Sequence, residues 1–148
     1  MSTALQTVDV TKLVEYTKLI NDIGGLNKMM APNYLRDFIN AMDATSAMLS
    51  KATKAHLNAN ADLKRCEAIA YLDKAGDYLT ERNIKDTAES RKKYIDIDSD
   101  VGEARERVAI TESMVVFLKN KYQAFRCAHD DVKKISFNEV QGTGFEGY

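Results

Sequence analysis

Apolar and polar positions alternate along the last third of this chain with the period of a coiled coil. Val101, Ala104, Val108, Thr111, Val115, Leu118, Tyr122, Phe125, His129 and Val132 recur at alternating spacings of three and four, the a/d seam of paired helices. A second seam precedes it. Leu35, Met42, Leu49, His56, Leu63 and Ala70 repeat every seven residues, and Phe38, Thr45, Ala52, Ala59 and Cys66 fill the alternate positions. A helix with such a stripe is not stable alone in water, because its apolar face needs a covering surface. The chain is therefore built to pair helices, within itself and between copies.

Punctuation between the seams gives the elements. A first helix is predicted over residues 9–23, stopped by Gly24 and Gly25 in a left-handed C-cap. The following loop ends at Pro32, the single proline, with Asn33 as N-cap. A second helix is predicted from about Tyr34 to Leu79, with Gly76 marking its fraying end. Its paired face is rich in small residues, Ala41, Ala44, Ala52, Ala55 and Ala59, which let backbones approach closely. A short helix over 85–93 follows. Asp100 is placed to cap the last helix, with Glu103 completing a capping box. That helix is expected to end near Ile135, before a flexible tail with aromatic hooks at Phe137, Phe145 and Tyr148.

The expected architecture is all-α: an antiparallel pair of long helices, a helical hairpin or coiled coil, with shorter bracing helices. Residues 1–135 form a single helical domain and 136–148 the tail. Val108, Val115, Leu118, Tyr122 and Phe125 carry the helix and oligomer seam. Two long helices leave much apolar surface uncovered, so self-association into a homo-oligomer is expected.

Composition changes this picture little. The net charge of −1 advertises no global affinity for nucleic acid. Cys66 and Cys127 stand inside helical patterns without a repeating spacing and are read as reduced thiols. The N-terminus lacks the pattern of a signal peptide, and no apolar run approaches the ~20 residues of a membrane span. The expected location is the cytoplasm.

Candidate chemistry is sparse. The acids Asp96, Asp98 and Asp100 resemble the start of a calcium loop, but positions six and twelve hold Val101 and Arg107 in place of glycine and glutamate. His56 and His129 sit on seam positions and read as polar register-setting residues. No nucleophile with its base, phosphate-binding glycine loop or carboxylate pair is present. No metal, no cofactor and no enzymatic activity are expected.

The cations carry more information. Lys119, Arg126 and Lys133 fall seven apart beside the seam, widened by Lys121 and Lys134. Lys51, Lys54, Lys64 and Arg65 form a second basic stretch, and Arg91, Lys92 and Lys93 a third, with Tyr94 at its edge. Cations beside aromatics suit single-stranded nucleic acid, whose bases stack and whose phosphates pair. The candidate nucleic-acid-binding residues are Lys64, Arg65, Arg91, Lys92 and Lys93, with Tyr94 stacking. The competing explanation is interhelical ion pairing.

The segment YIDIDSDVGEARERVAITESMVVFLKNKYQAFRCAHDDVKKI resembles the C-terminal half of phage recombination mediators of the UvsY type. In that family a tyrosine or leucine followed by aspartates precedes a long helix. The helix carries an aromatic-leucine pair, here Phe117-Leu118, then a basic, aromatic stretch and lysines before a tail with phenylalanine and glycine. The likeness covers residues 34–148. The family's basic motif in the first long helix has its nearest counterpart in Lys64-Arg65. The resemblance implies a ring-like homo-oligomer that binds single-stranded DNA, helps a recombinase displace the single-strand-binding protein, and is not an enzyme. A phage-encoded chain of this kind would work in the host cytoplasm. The alternative is a helical structural or scaffold protein of a phage or bacterium, whose partners are proteins.

Overall fold

The structure, a computed structural model, describes residues 10–26 and 29–142. The chain is all-α, an antiparallel pair of long helices braced by shorter ones, with no strand among the described residues. The helices are α1 (Thr11–Asn21), α2 (Ala31–Ile69), α3 (Ala75–Glu81), α4 (Ala88–Ile97) and α5 (Ser99–Gly142). A 3₁₀ turn, Ile23–Gly25, follows α1, and a π-helical turn, Ala70–Lys74, joins α2 to α3. No described helix is long and apolar enough to cross a membrane.

The chain divides into two compact units, Met1–Ser50 with Val116–Tyr148, and Lys51–Val115. In the first, the core is Leu13 from α1, Phe38 and Ala41 from α2, and Leu118, Phe125 and Val132 from α5, each at most 1% exposed. The Tyr16 ring meets Phe125 edge-on, with centroids 6.2 Å apart, a favoured aromatic geometry. Thr45, fully buried, donates its hydroxyl to the Ala41 carbonyl and so brings no unpaired polar group into the core.

In the second unit α2 and α5 run antiparallel: His56 meets Thr111, while Glu67, further along α2, pairs with Arg105, further back on α5. The small residues Ala52, Ala59 and Ala104 lie in this seam, with Val101 fully buried beside them. His56 Nδ1 lies 3.1 Å from Thr111 Oγ1, and its Nε2 lies 3.2 Å from the Asn60 amide. Both ring nitrogens thus have partners across or along the seam, as a residue that fixes register requires.

Several boundaries differ from expectation, each for a local reason. Gly24 and Gly25 adopt no left-handed conformation; they close α1 as a 3₁₀ turn. Pro32 lies inside the first turn of α2, where its missing N–H costs nothing. Gly76 does not end the second helix; α3 continues to Glu81. The stop is Asn83, the left-handed residue at φ 54°, with Ile84 N–H donating to the Leu79 carbonyl at 2.9 Å and Asn83 N–H to Thr80 at 3.2 Å. That is a Schellman closure with asparagine in the usual place of glycine. Asp98, not Asp100, caps α5: its Oδ1 accepts the N–H groups of Asp100 and Val101 at 3.0 and 3.1 Å. Finally α5 continues past Ile135 to Gly142, so Phe137 belongs to a helix and not to a tail. Phe145 and Tyr148 lie outside the described residues.

The π turn explains why the second seam loses its heptad. The next two seam positions after Ala70 would be Asp73 and Asp77, and both are exposed. A π turn inserts one residue into the helical ladder and rotates the helix beyond it. The face that turns inward carries Ala75 and Leu79, 0% and 3% exposed.

Candidate nucleic-acid interface

The candidate residues around the α3–α4 junction belong to the second unit, and the junction uses several of them for itself. Arg91 on α4 forks onto Asp86, with Nε to Oδ1 and Nη2 to Oδ2 both at 2.7 Å. Its Nη1 donates to the Tyr71 carbonyl at 2.7 Å. Tyr71 lies in the π turn, where the widened ladder removes carbonyls from their ordinary partners four residues on. Arg91 thus fastens α4 to the place where the long helix is irregular. Gly76 leaves it room: a Cβ there would stand 3.3 Å from Arg91 Nη2. The carboxylate raises the Arg91 guanidinium above its ordinary value, and the guanidinium holds Asp86 below its own.

Tyr94 is engaged in a similar way. Its ring packs on Tyr78 with centroids 4.8 Å apart, and its hydroxyl donates to Asp98 at 2.9 Å. Burial, then the Asp98 contact, push the Tyr94 phenol up. Lys74 reaches both Asp98 and Asp100. Arg105 on α5 pairs with Asp96 at 3.0 Å. Each acid of the 96–98–100 series therefore has a cation beside it. Among the described residues no group of three or more His, Cys, Asp or Glu is placed to hold a metal ion.

Lys92 and Lys64 are exposed and take part in no ion pair among the described residues. Lys93 pairs with Glu89 at 3.3 Å and Arg65 with Asp62 at 2.9 Å, both at the surface, where such pairs are weak and yield readily to a competing anion. Of the six residues singled out at this junction, Arg91 and Tyr94 have structural partners, while the four cations Lys64, Arg65, Lys92 and Lys93 remain at the surface.

The α5 stripe in the first unit is more open. Lys119, Arg126 and Lys133 are exposed and make no ion pair among the described residues. Lys121 is half-buried; it donates to Thr17 Oγ1 at 3.1 Å and lies 5.7 Å from the centre of the Phe117 ring. Lys134 makes a loose surface pair with Asp131 at 3.6 Å. Because α5 continues past Ile135, Phe137 stands four residues after Lys133 and three after Lys134, on their face. It is 62% exposed. Asp130, Lys133, Lys134 and Phe137 line an open hollow of about 390 Å³. From Lys119 to Phe137 the stripe runs ~27 Å along the helix. Its cations were visible in the spacing; its aromatic was not, because glycines further on made the segment read as a tail.

Leu118 and Phe125 are fully buried, while Val108, Val115 and Tyr122 are half-buried. Comparison with family models, with curated proteins and with solved structures finds no match.

Proposed function

We propose that this chain is a recombination mediator that binds single-stranded DNA as a homo-oligomer and helps load a recombinase against the single-strand-binding protein. It does so in the cytoplasm, without catalysis and without a cofactor. The observation that carries the reading is the open α5 stripe: three exposed cations one heptad apart, without an ion pair among the described residues, ending in a solvent-facing phenylalanine. Phosphates meet the ammonium and guanidinium groups, and a base stacks on Phe137, the combination used by sequence-tolerant single-strand binders. The recombinase and the single-strand-binding protein enter through the likeness of residues 34–148 to UvsY-type mediators.

One patch on one chain binds weakly. Repeated around an oligomer it becomes a track, and its counterion release adds. Replacing Lys119, Arg126 and Lys133 together by Ala should weaken binding to a poly-thymidine oligomer and flatten the dependence of log affinity on log salt by about two units per chain engaged, at ~0.7 per lost single-strand phosphate contact. Phe137→Ala should weaken binding about five- to 150-fold, the range of a lost base stack of ~1–3 kcal/mol, with the salt slope unchanged. A wild-type chain that fails to bind the oligomer at low salt removes this function.

The second reading is a helical scaffold protein with protein partners. The observation in its favour is that Arg91 and Tyr94 have structural employment at the junction. It is the reading left standing if the oligonucleotide does not bind.

A further inference from the structure

Among the described residues, nothing packs on the outer face of α2 in the unit Lys51–Val115. Leu57 and Leu72 are 63% and 68% exposed. The exposed Ala61 and Ala68 lie between them on the same side of the helix, and Lys54 and Lys64 stand along that face. The buried seam of the same helix, through Ala52, Ala59 and Ala70, is on its opposite side. α5 therefore covers the seam and leaves this face exposed.

Within the same unit α5 also has an exposed outer face, made by Glu103, Glu106, Ile110 and Ser113. Ile110 is 41% exposed, and this face too is opposite the helix's own seam of Val101, Ala104 and Thr111. The ion pairs among the described residues use none of Lys54, Lys64, Glu103 and Glu106. The two faces match in chemistry, an aliphatic stripe with cations against an isoleucine with acids. They also match in spacing: Lys64 comes seven residues after Leu57, and Glu103 seven residues before Ile110. An antiparallel contact that seats Leu57 on Ile110 brings Lys64 to Glu103 ~10.5 Å further along. One chain cannot make this contact with itself, because its two faces point away from each other.

We infer that the occupant of the α2 outer face is the α5 outer face of a second copy of this chain. The contact is heterologous, so repetition gives a closed ring or an open filament. This rests on the homo-oligomeric part of the proposed function and names its interface; it does not depend on DNA.

The test is a mixing experiment. One chain carries Leu57→Cys, another Ile110→Cys, each in a Cys66→Ala, Cys127→Ala background, and the mixture is oxidised. The expected result is a disulfide-linked pair of unlike chains, at least ten-fold more abundant than like pairs from either chain alone. Equal yields of like pairs, or no linkage while wild type scatters light as an oligomer, overturn the inference, as does a wild-type monomer at micromolar concentration. If the cysteine-free background does not fold, charge exchange in the native sequence decides. Lys64→Glu should then weaken self-association about five-fold, from a lost surface pair of up to ~1 kcal/mol, and Glu103→Lys in the same chain should restore it; failure of the second change to restore it overturns the contact. Oligonucleotide binding is read separately. An oligomer that ignores DNA removes the mediator reading and leaves this interface, whereas a monomer that binds DNA does the reverse.

Discussion

Leu118→Asp should abolish the folded state of the unit that contains it. Leu118 is 0% exposed, on the α5 seam between the half-buried Val115 and Tyr122. Truncating a buried leucine costs ~3–5 kcal/mol through lost transfer energy and the cavity left behind. An unpaired carboxylate adds several kcal/mol, or takes up a proton and remains an unsatisfied polar group. The sum is comparable to the ~5–15 kcal/mol that holds a whole domain together. The helical circular dichroism signal at room temperature should fall sharply and the cooperative thermal transition should disappear. Two controls make this specific. Leu118→Met, which conserves volume, should cost less than ~1.5 kcal/mol. Val116→Asp, two residues away but 52% exposed, should stay within ~1 kcal/mol of wild type. If the Leu118→Asp chain melts like the Val116→Asp chain, the seam does not run through Leu118.

That contrast rests on positions legible from spacing alone. In a helix a strict seven-residue repeat of apolar side chains has one geometric meaning, so Val101, Leu118, Phe125 and Val132 could be placed inside without any knowledge of their partners. Legibility ended where local rules compete. Asp98 and Asp100 are chemically equal candidates for a cap; which one acts depends on where the chain leaves α4, and that is set by Tyr94 and Lys74 converging on Asp98. The π turn left a trace in the sequence, since aspartates occupy the next two seam positions after Ala70, but a broken repeat does not reveal whether the helix ends or shifts register. The role of Arg91 was hidden for a different reason. Its partner Asp86 is five residues away and visible, whereas the Tyr71 carbonyl is twenty residues away and becomes an acceptor through an irregularity in the backbone. A run of cations therefore looked like a free patch, although one of its members is a fastening. Phe137 was misplaced in the opposite sense, because the three glycines after it suggested a tail while the helix runs on to the first of them.

Asp98→Ala should be the most damaging polar substitution in the other unit. The side chain is 4% exposed and gathers four donors: the N–H groups of Asp100 and Val101, the Tyr94 hydroxyl at 2.9 Å, and the Lys74 ammonium at 3.3 Å. Losing an N-cap costs ~0.5–2 kcal/mol. Leaving the tyrosine hydroxyl without an acceptor raises the total to ~2–4 kcal/mol. Asp98→Asn should recover part of this, because asparagine caps helices nearly as well, while the attraction for Lys74 is lost. The two variants also separate the cap from the charge through pH. Burial alone would push the Asp98 carboxyl up, but the Val101 N–H, the Tyr94 hydroxyl and Lys74 together hold it below its ordinary 3.8. A carboxyl depressed in the folded state contributes stability that is present above 3.8 and is lost as pH falls through the folded value. For Lys74 the sign is reversed. Contact with Asp100, then with Asp98, raises its ammonium above the ordinary 10.5, so its contribution is present below 10.5 and is lost only as pH rises through the folded value. Across neutral pH both of these contributions are intact. Thermal melts of wild type should therefore begin to lose stability as pH drops below 3.8, and Asp98→Asn should lose less over the same interval because its cap does not titrate. If the two proteins show the same acid dependence, the stabilising charge at the α4–α5 junction is not carried by Asp98.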